Sequence, residues 1–133
     1  MTPLSRRLLL YVLVDPAMIL GRDAAEQAMA ALRGGATSIQ LRGKTAGARE
    51  LVRAGECLKA LCRESGALFF VNDRLDVALA CGADGVHLGN GDLPVAAARR
   101  LAPPGFLVGA SAHDPAEAQE AERQGADYLG VGA

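Results

Sequence analysis

The feature that most constrains this chain is a recurring joint. Gly-Ala followed at once by a short apolar run occurs four times: Gly35-Ala36 before TSIQL, Gly66-Ala67 before LFFV, Gly82-Ala83 before DGVHL and Gly125-Ala126 before DYLGV. Each glycine follows a helix-like segment, where a helix end calls for a residue that tolerates left-handed dihedrals before the chain turns away. Glycine is accordingly plentiful, 16 of 133 residues, against roughly 7% on average. Reading outward from the joints predicts strands at 8–14, 37–41, 67–71, 84–88, 106–110 and 127–131, alternating with helices at 22–33, 46–64, 73–80, 94–101 and 115–124. In the segment 46–64, Ala48, Leu51, Val52, Cys57, Leu58 and Leu61 fall near a 3.6-residue spacing, whereas the strands are apolar runs of the kind expected when both faces are covered. Alternation without a hairpin signal implies an α/β fold with a parallel sheet and right-handed crossovers.

Polar residues gather just past the strand ends. Gln40, Arg42 and Lys44 follow the second strand, Asn72 and Asp73 the third, the segment from His87 to Asp92 the fourth, and Ser111 and His113 the fifth. A doubly wound sheet would concentrate function at one switch point, with a glycine-rich fingerprint after the first strand. Only Asp15-Pro16 stands there. Polar side chains after four successive strands suit a (β/α)8 TIM barrel, whose βα loops share one rim. Six strands fall short of eight, so the expectation is a single domain over residues 1–133 comprising about six βα units of an incomplete or truncated barrel.

Several function classes lose support. Fourteen Lys and Arg balance fifteen Asp and Glu, and there is no Trp and only five Phe or Tyr, which argues against a nucleic-acid partner. The run LLLYVLV is far shorter than the ~20 residues of a membrane span. Asp15-Pro16 closes it without a small-residue cleavage pattern, so it reads as a strand of a cytoplasmic protein rather than a signal peptide. Cys57, Cys62 and Cys81 lack Cys-x-x-Cys spacing and read as reduced, packed thiols.

Asp73 and Asp92 would project from adjacent strand ends. Two such carboxylates repel unless a cation intervenes, and Mg²⁺, which takes oxygen ligands and commonly bridges carboxylates to phosphates, answers that need. The plainer alternative is that each begins a helix. Gln40, Arg42 and Lys44 alternate and would share one orientation if the strand continues that far. A guanidinium and an ammonium beside bound Mg²⁺ would make a diphosphate site; otherwise they are ordinary surface charges. Asn72 could hold a heterocycle edge or the backbone, and Ser111 a phosphate or ring nitrogen, or cap a helix. His87, inside an apolar strand, reads as a satisfied core histidine, and His113 as the better acid–base candidate. No Ser-His-Asp order, zinc spacing, P-loop or Gly-x-Gly-x-x-Gly fingerprint appears.

Taken together, LYVLVDP, GGATSIQLRGK, FFVNDRLDVALACGADGVHLGNGDLP, GASAH and QGADYLGVGA resemble the N-terminal two-thirds of the thiamine phosphate synthase family. The resemblance implies a TIM barrel and a Mg²⁺-dependent transferase. It would couple 4-amino-5-hydroxymethyl-2-methylpyrimidine diphosphate with thiazole phosphate, giving thiamine phosphate and pyrophosphate. It further implies that Asp73 and Asp92 bind Mg²⁺, that Arg42 and Lys44 hold the diphosphate, and that Gln40, Asn72 and Ser111 position the pyrimidine and diphosphate. Lys44, Arg42 and Ser111 would then be the groups acting in catalysis. Gly43 and Asn90-Gly91 depart from the acidic residue and the Gln-Glu usual in the family, and the family's thiazole phosphate loops have no counterpart in residues 1–133. Two alternatives stand beside this reading. One is a thiazole tautomerase with His113 as proton shuttle, against which Asp92 argues. The other is a non-catalytic remnant that binds phosphate, or a second copy of itself as a homo-oligomer, through its open sheet edge.

Overall fold

A computed structural model describes residues 2–18 and 21–132. Six strands, β1 (Tyr11–Val14), β2 (Ser38–Leu41), β3 (Leu68–Asn72), β4 (Gly85–Leu88), β5 (Leu107–Ala112) and β6 (Tyr128–Val131), form one sheet in sequence order. Every neighbouring pair is parallel. Helices α2 (Ala24–Arg33), α3 (Ala48–Ser65), α4 (Leu75–Cys81), α5 (Val95–Leu101) and α6 (Pro115–Gln124) fill the crossovers, and a one-turn α1 (Leu4–Arg7) precedes the first strand. Gly35, Gly66, Gly82 and Gly125, the four joint glycines, all have positive φ, between 73° and 102°, as the left-handed helix ends require.

Register separates the two faces of the sheet. Ile39, Leu41, Phe69, Val71, Val86, Leu88, Val108 and Ala110 point one way and join the buried cluster with Ala28, Leu58, Cys62, Ala78 and Ala98 of the helices. The opposite parity carries Tyr11, Gln40, Phe70, Asn72, His87, Ser111 and Tyr128. β1 and β6 lie at opposite ends of the sheet, yet the Tyr11 and Tyr128 hydroxyls are 2.6 Å apart. The sheet is therefore curled into a half-barrel with the helices outside. The Tyr11 and Tyr128 rings flank Phe70, each centroid 5.4 Å from it.

The N-terminal ends of the strands are clamped in pairs. Leu10 N donates to Thr37 Oγ1 (3.0 Å), Phe69 N to Asp84 Oδ2 (2.8 Å) and Val108 N to Asp127 Oδ2 (2.8 Å). Asp84 also takes Lys59 of α3 at 2.8 Å, and Asp127 takes Arg99 of α5.

Four expectations are corrected. The first strand begins at Tyr11 rather than residue 8, because Leu4–Arg7 makes a helical turn and Leu9 is three-quarters exposed. The fifth strand runs on through Ser111 and Ala112, which pair with Gly130 and Val131, so Ser111 lies within the strand rather than after it. The helix expected from residue 73 starts at Leu75, since Asp73 has φ 55° and cannot sit in a right-handed turn. Cys62 and Cys81 are buried, but Cys57 is exposed on α3.

Candidate functional site

The curled face opens into a cavity of about 430 Å³ lined by Tyr11, Leu13, Gln40, Arg42, Asn72, His87, Ser111 and Tyr128 among others. Strand parity sets these side chains except Arg42, which lies just past the end of β2. Four of the expected site residues, Gln40, Arg42, Asn72 and Ser111, meet here. Gln40 is 3% exposed and accepts from Asn72 Nδ2 (2.8 Å) while donating to the Tyr11 hydroxyl (2.8 Å). Asn72 Oδ1 is buried with no hydrogen-bond partner among the described residues. An orphaned buried acceptor is uncommon and costs free energy, so its persistence marks a place where something else is meant to donate.

Arg42 stands just past the end of β2 and is held by Asp15, whose Oδ2 accepts from Nη1 at 2.6 Å. Asp15 is itself buried and fixed, its backbone N donating to Gln27 Oε1 at 3.0 Å. The guanidinium is thereby aimed, with its remaining N–H groups unspent on this pair. Lys44 lies beyond the strand and outside the cavity lining; its ammonium meets Asp73 Oδ2 at 2.6 Å on the rim. Asp73 does not cap α4, since the N-cap is Arg74. It holds a left-handed conformation that non-glycine residues seldom adopt, and its N donates to His87 O at 2.8 Å. Strain of this kind concentrates at functional positions. Asp92 does not cap α5 either. Its Oδ2 accepts from Gly89 N (2.7 Å) across the β4–α5 loop, and it lines an adjoining cavity that shares Ser111 with the first. Among the described residues no group of three or more His, Cys, Asp or Glu assembles as a metal cage.

Parity also brings in Tyr11 and Tyr128, which no motif marks, and His87, expected in the core. His87 is satisfied, as expected, but it belongs to the cavity: Nδ1 is 2.9 Å from Tyr128 Oη and Nε2 2.9 Å from Ser111 Oγ. Burial pushes its pKa down, opposed by the charge of Asp92, which favours the neutral imidazole. Burial likewise pushes Tyr11 up to about 12, with its bonds to Tyr128 and Gln40 acting the other way, and raises Tyr128 further. Strand alternation relates residues only within one strand, and it is the register between strands that places these three with Gln40 and Asn72. His113 lies outside this cavity, exposed and bonded to Glu117 through Nδ1 at 3.1 Å.

A curled sheet of parallel βα units, with apolar residues on its outer face and polar ones on its inner face and C-terminal rim, defines a protein of the barrel-forming α/β class. Within that class the chain belongs to the thiamine monophosphate synthase family, whose profile matches residues 10–133. A thiamine-phosphate synthase of Coprothermobacter proteolyticus is 53% identical over 97% of this chain and 61% of its own length. One from Chlorobium luteolum is 63% identical over 77% of this chain and 48% of its own. A solved thiamine phosphate pyrophosphorylase from Pyrococcus furiosus superposes with a TM-score of 0.92 at 46% identity, covering 98% of this chain and 63% of that one. The chain thus spans between about half and three-fifths of these relatives. No helix among the described residues is long and apolar enough to cross a membrane.

Proposed function

We propose that this chain carries the pyrimidine diphosphate site of a thiamine phosphate synthase. That transferase joins 4-amino-5-hydroxymethyl-2-methylpyrimidine diphosphate to thiazole phosphate and releases pyrophosphate. The observation that carries the reading is the cavity in which Gln40, Arg42, Asn72 and Ser111 meet, with Asn72 Oδ1 a buried acceptor that finds no donor among the described residues. An exocyclic amine on a pyrimidine is a donor of the right kind. Gln40 fixes the Asn72 amide, Ser111 offers a hydroxyl to the diphosphate or a ring nitrogen, and Arg42, braced by Asp15, supplies charge to phosphate oxygens. Lys44 adds a second cation from the rim, exchanging Asp73 for phosphate.

Asp73 and Asp92 are proposed to hold Mg²⁺. Two carboxylates without a third protein ligand suit this ion, which keeps several waters and accepts substrate phosphate oxygens. When bound, it would neutralise the charge that develops as pyrophosphate departs. The chain's own part is orientation and charge: the cavity holds the pyrimidine while its methylene loses pyrophosphate and is captured by the thiazole nitrogen. On this reading the arc is part of an eight-stranded TIM barrel in a cytoplasmic protein.

The test is twofold. The protein is incubated with both substrates and Mg²⁺, and thiamine phosphate is detected by oxidation to its fluorescent thiochrome. Calorimetry then measures pyrimidine diphosphate binding, which is expected to weaken more than about tenfold, or 1.4 kcal/mol, without Mg²⁺ and in Asp73→Ala and Asp92→Ala. Binding that ignores the metal and both substitutions would overturn the site assignment.

A further inference from the structure

One side chain from each of the six strands joins a single line of hydrogen bonds across the half-barrel. Asn72 Nδ2 donates to Gln40 Oε1 (2.8 Å), and Gln40 Nε2 donates to the Tyr11 hydroxyl (2.8 Å). The line crosses the open side from Tyr11 to Tyr128 (2.6 Å), passes to His87 Nδ1 (2.9 Å) and leaves from Nε2 to Ser111 Oγ (2.9 Å). A phenol has one hydrogen. Tyr11 already accepts from Gln40, so its hydrogen goes to Tyr128, its other partner among the described residues. Tyr128, now an acceptor, spends its own hydrogen on His87 Nδ1. That nitrogen is then bare, and the imidazole hydrogen sits on Nε2, where it is donated to Ser111. Reversing any single link would strand a hydrogen or set two lone pairs against each other in the interior, a cost that fully paired networks avoid.

We propose that Tyr128 is a positioning residue: it fixes His87 as the Nε2–H tautomer and so makes Ser111 an acceptor from the imidazole whose own hydroxyl hydrogen is kept for a ligand. The line then ends in two unused groups in one cavity, an acceptor at Asn72 Oδ1 and a donor at Ser111. A ligand with an N–H at one side and a lone pair or anionic oxygen at the other completes both. The tautomer stands on geometry alone; its use in catalysis rests on the synthase reading.

The test is the ¹⁵N signature of the His87 ring in the ligand-free protein near neutral pH, by long-range ¹H–¹⁵N correlation. His113→Gln assigns the spectrum, since the chain has two histidines. A protonated Nε2 and a bare Nδ1 are expected. A protonated Nδ1 would overturn the proposal, because it means that both amides are turned and the whole line runs backwards. In Tyr128→Phe the signals should move from one tautomer toward a mixture; an unchanged Nε2–H form in this variant would remove Tyr128 from the role. Should that variant not fold, Ser111→Ala decides in its place. The Nε2–H form must persist there, and a switch to Nδ1–H would show that Ser111, not Tyr128, sets the tautomer. Thiamine phosphate formation is measured separately, so loss of the synthase reading and loss of the tautomer assignment are distinct results.

Discussion

Gly109→Ala is expected to be among the most damaging single-methyl additions in this fold. Gly109 faces Tyr128 in the β5–β6 register, and a Cβ on it would be built into the Tyr128 ring at Cζ, Cε1 and the hydroxyl. The ring has little room to retreat, with Phe70 edge-on at 5.4 Å and His87 at 5.5 Å between centroids. If it stays, overpacking costs about 1–3 kcal/mol. If it swings out, its bonds to Tyr11 and His87 are lost, at about 1 kcal/mol each, together with part of its burial. The first route costs about 1–3 kcal/mol and the second at least about 2, and a loss of about 2 kcal/mol lowers the melting temperature of a chain this size by about 10 °C. Thermal and urea melts would measure it, with Gly91→Ala as control, since nothing lies within 4 Å of a Cβ there. A double-mutant cycle sharpens the reasoning. In a Tyr128→Ala background the cost of Gly109→Ala should nearly vanish, and a cost that persists undiminished would refute the account.

Three further outcomes are expected. Tyr11 and Tyr128 are the only tyrosines, so tyrosinate absorbance reads this pair alone; because burial raises both above the ordinary value of 10, neither should ionise until well above pH 10. Their contribution to stability is complete below that value and is lost as pH rises through about 12, so ionisation should coincide with unfolding, and a titration at pH 10 with the fold intact would contradict the burial. Of three thiols, only Cys57 should react with a disulfide reagent in the native protein, since Cys62 and Cys81 are buried and Cys62 is pushed up to about 12 by burial and then by Asp84; prompt reaction of more than one would count against the packing of α3. Asp84→Ala should cost about 2–3 kcal/mol in urea melts, by stripping Phe69 N of a charged acceptor, and Asp84→Asn less than half of that; equal losses would place the effect in the Lys59 pair instead.

The alternation of elements was legible because its punctuation is steric. A helix that ends in a left-handed residue needs glycine, and Gly35, Gly66, Gly82 and Gly125 all stand at such ends. What blurred was where an apolar run outlasts its element, as in residues 8–14, where Leu8, Leu9 and Leu10 only lead out of the helical turn and the strand itself is Tyr11–Val14. The candidate site divided along the same line. Gln40, Arg42, Asn72 and Ser111 carry chemistry that stands out against apolar strands, and the structure collects them in one cavity. Tyr11 and Tyr128 did not stand out, because a strand covered on both faces gives no sign of which parity faces inward. Asp15 reads in the sequence only as a strand terminator, yet it braces Arg42 between β1 and β2. His87 has apolar neighbours in sequence, while its partners, Tyr128 and Ser111, lie 41 and 24 residues away.

The side-chain clamps at the strand starts have a consequence for how the sheet can be taken apart. They tie β1 to β2 through Thr37, β3 to β4 through Asp84 and β5 to β6 through Asp127. The half-barrel is in this sense three panels of two strands, with seams between β2 and β3 and between β4 and β5 where α3 and α5 cross. Cutting the chain in the connections at those seams leaves each panel with its own clamp, and fragments made there are the ones best equipped to find each other again. Cuts within a panel part a backbone N–H from the oxygen that anchors it. Rearranged or split versions of the chain should therefore keep its strands two at a time.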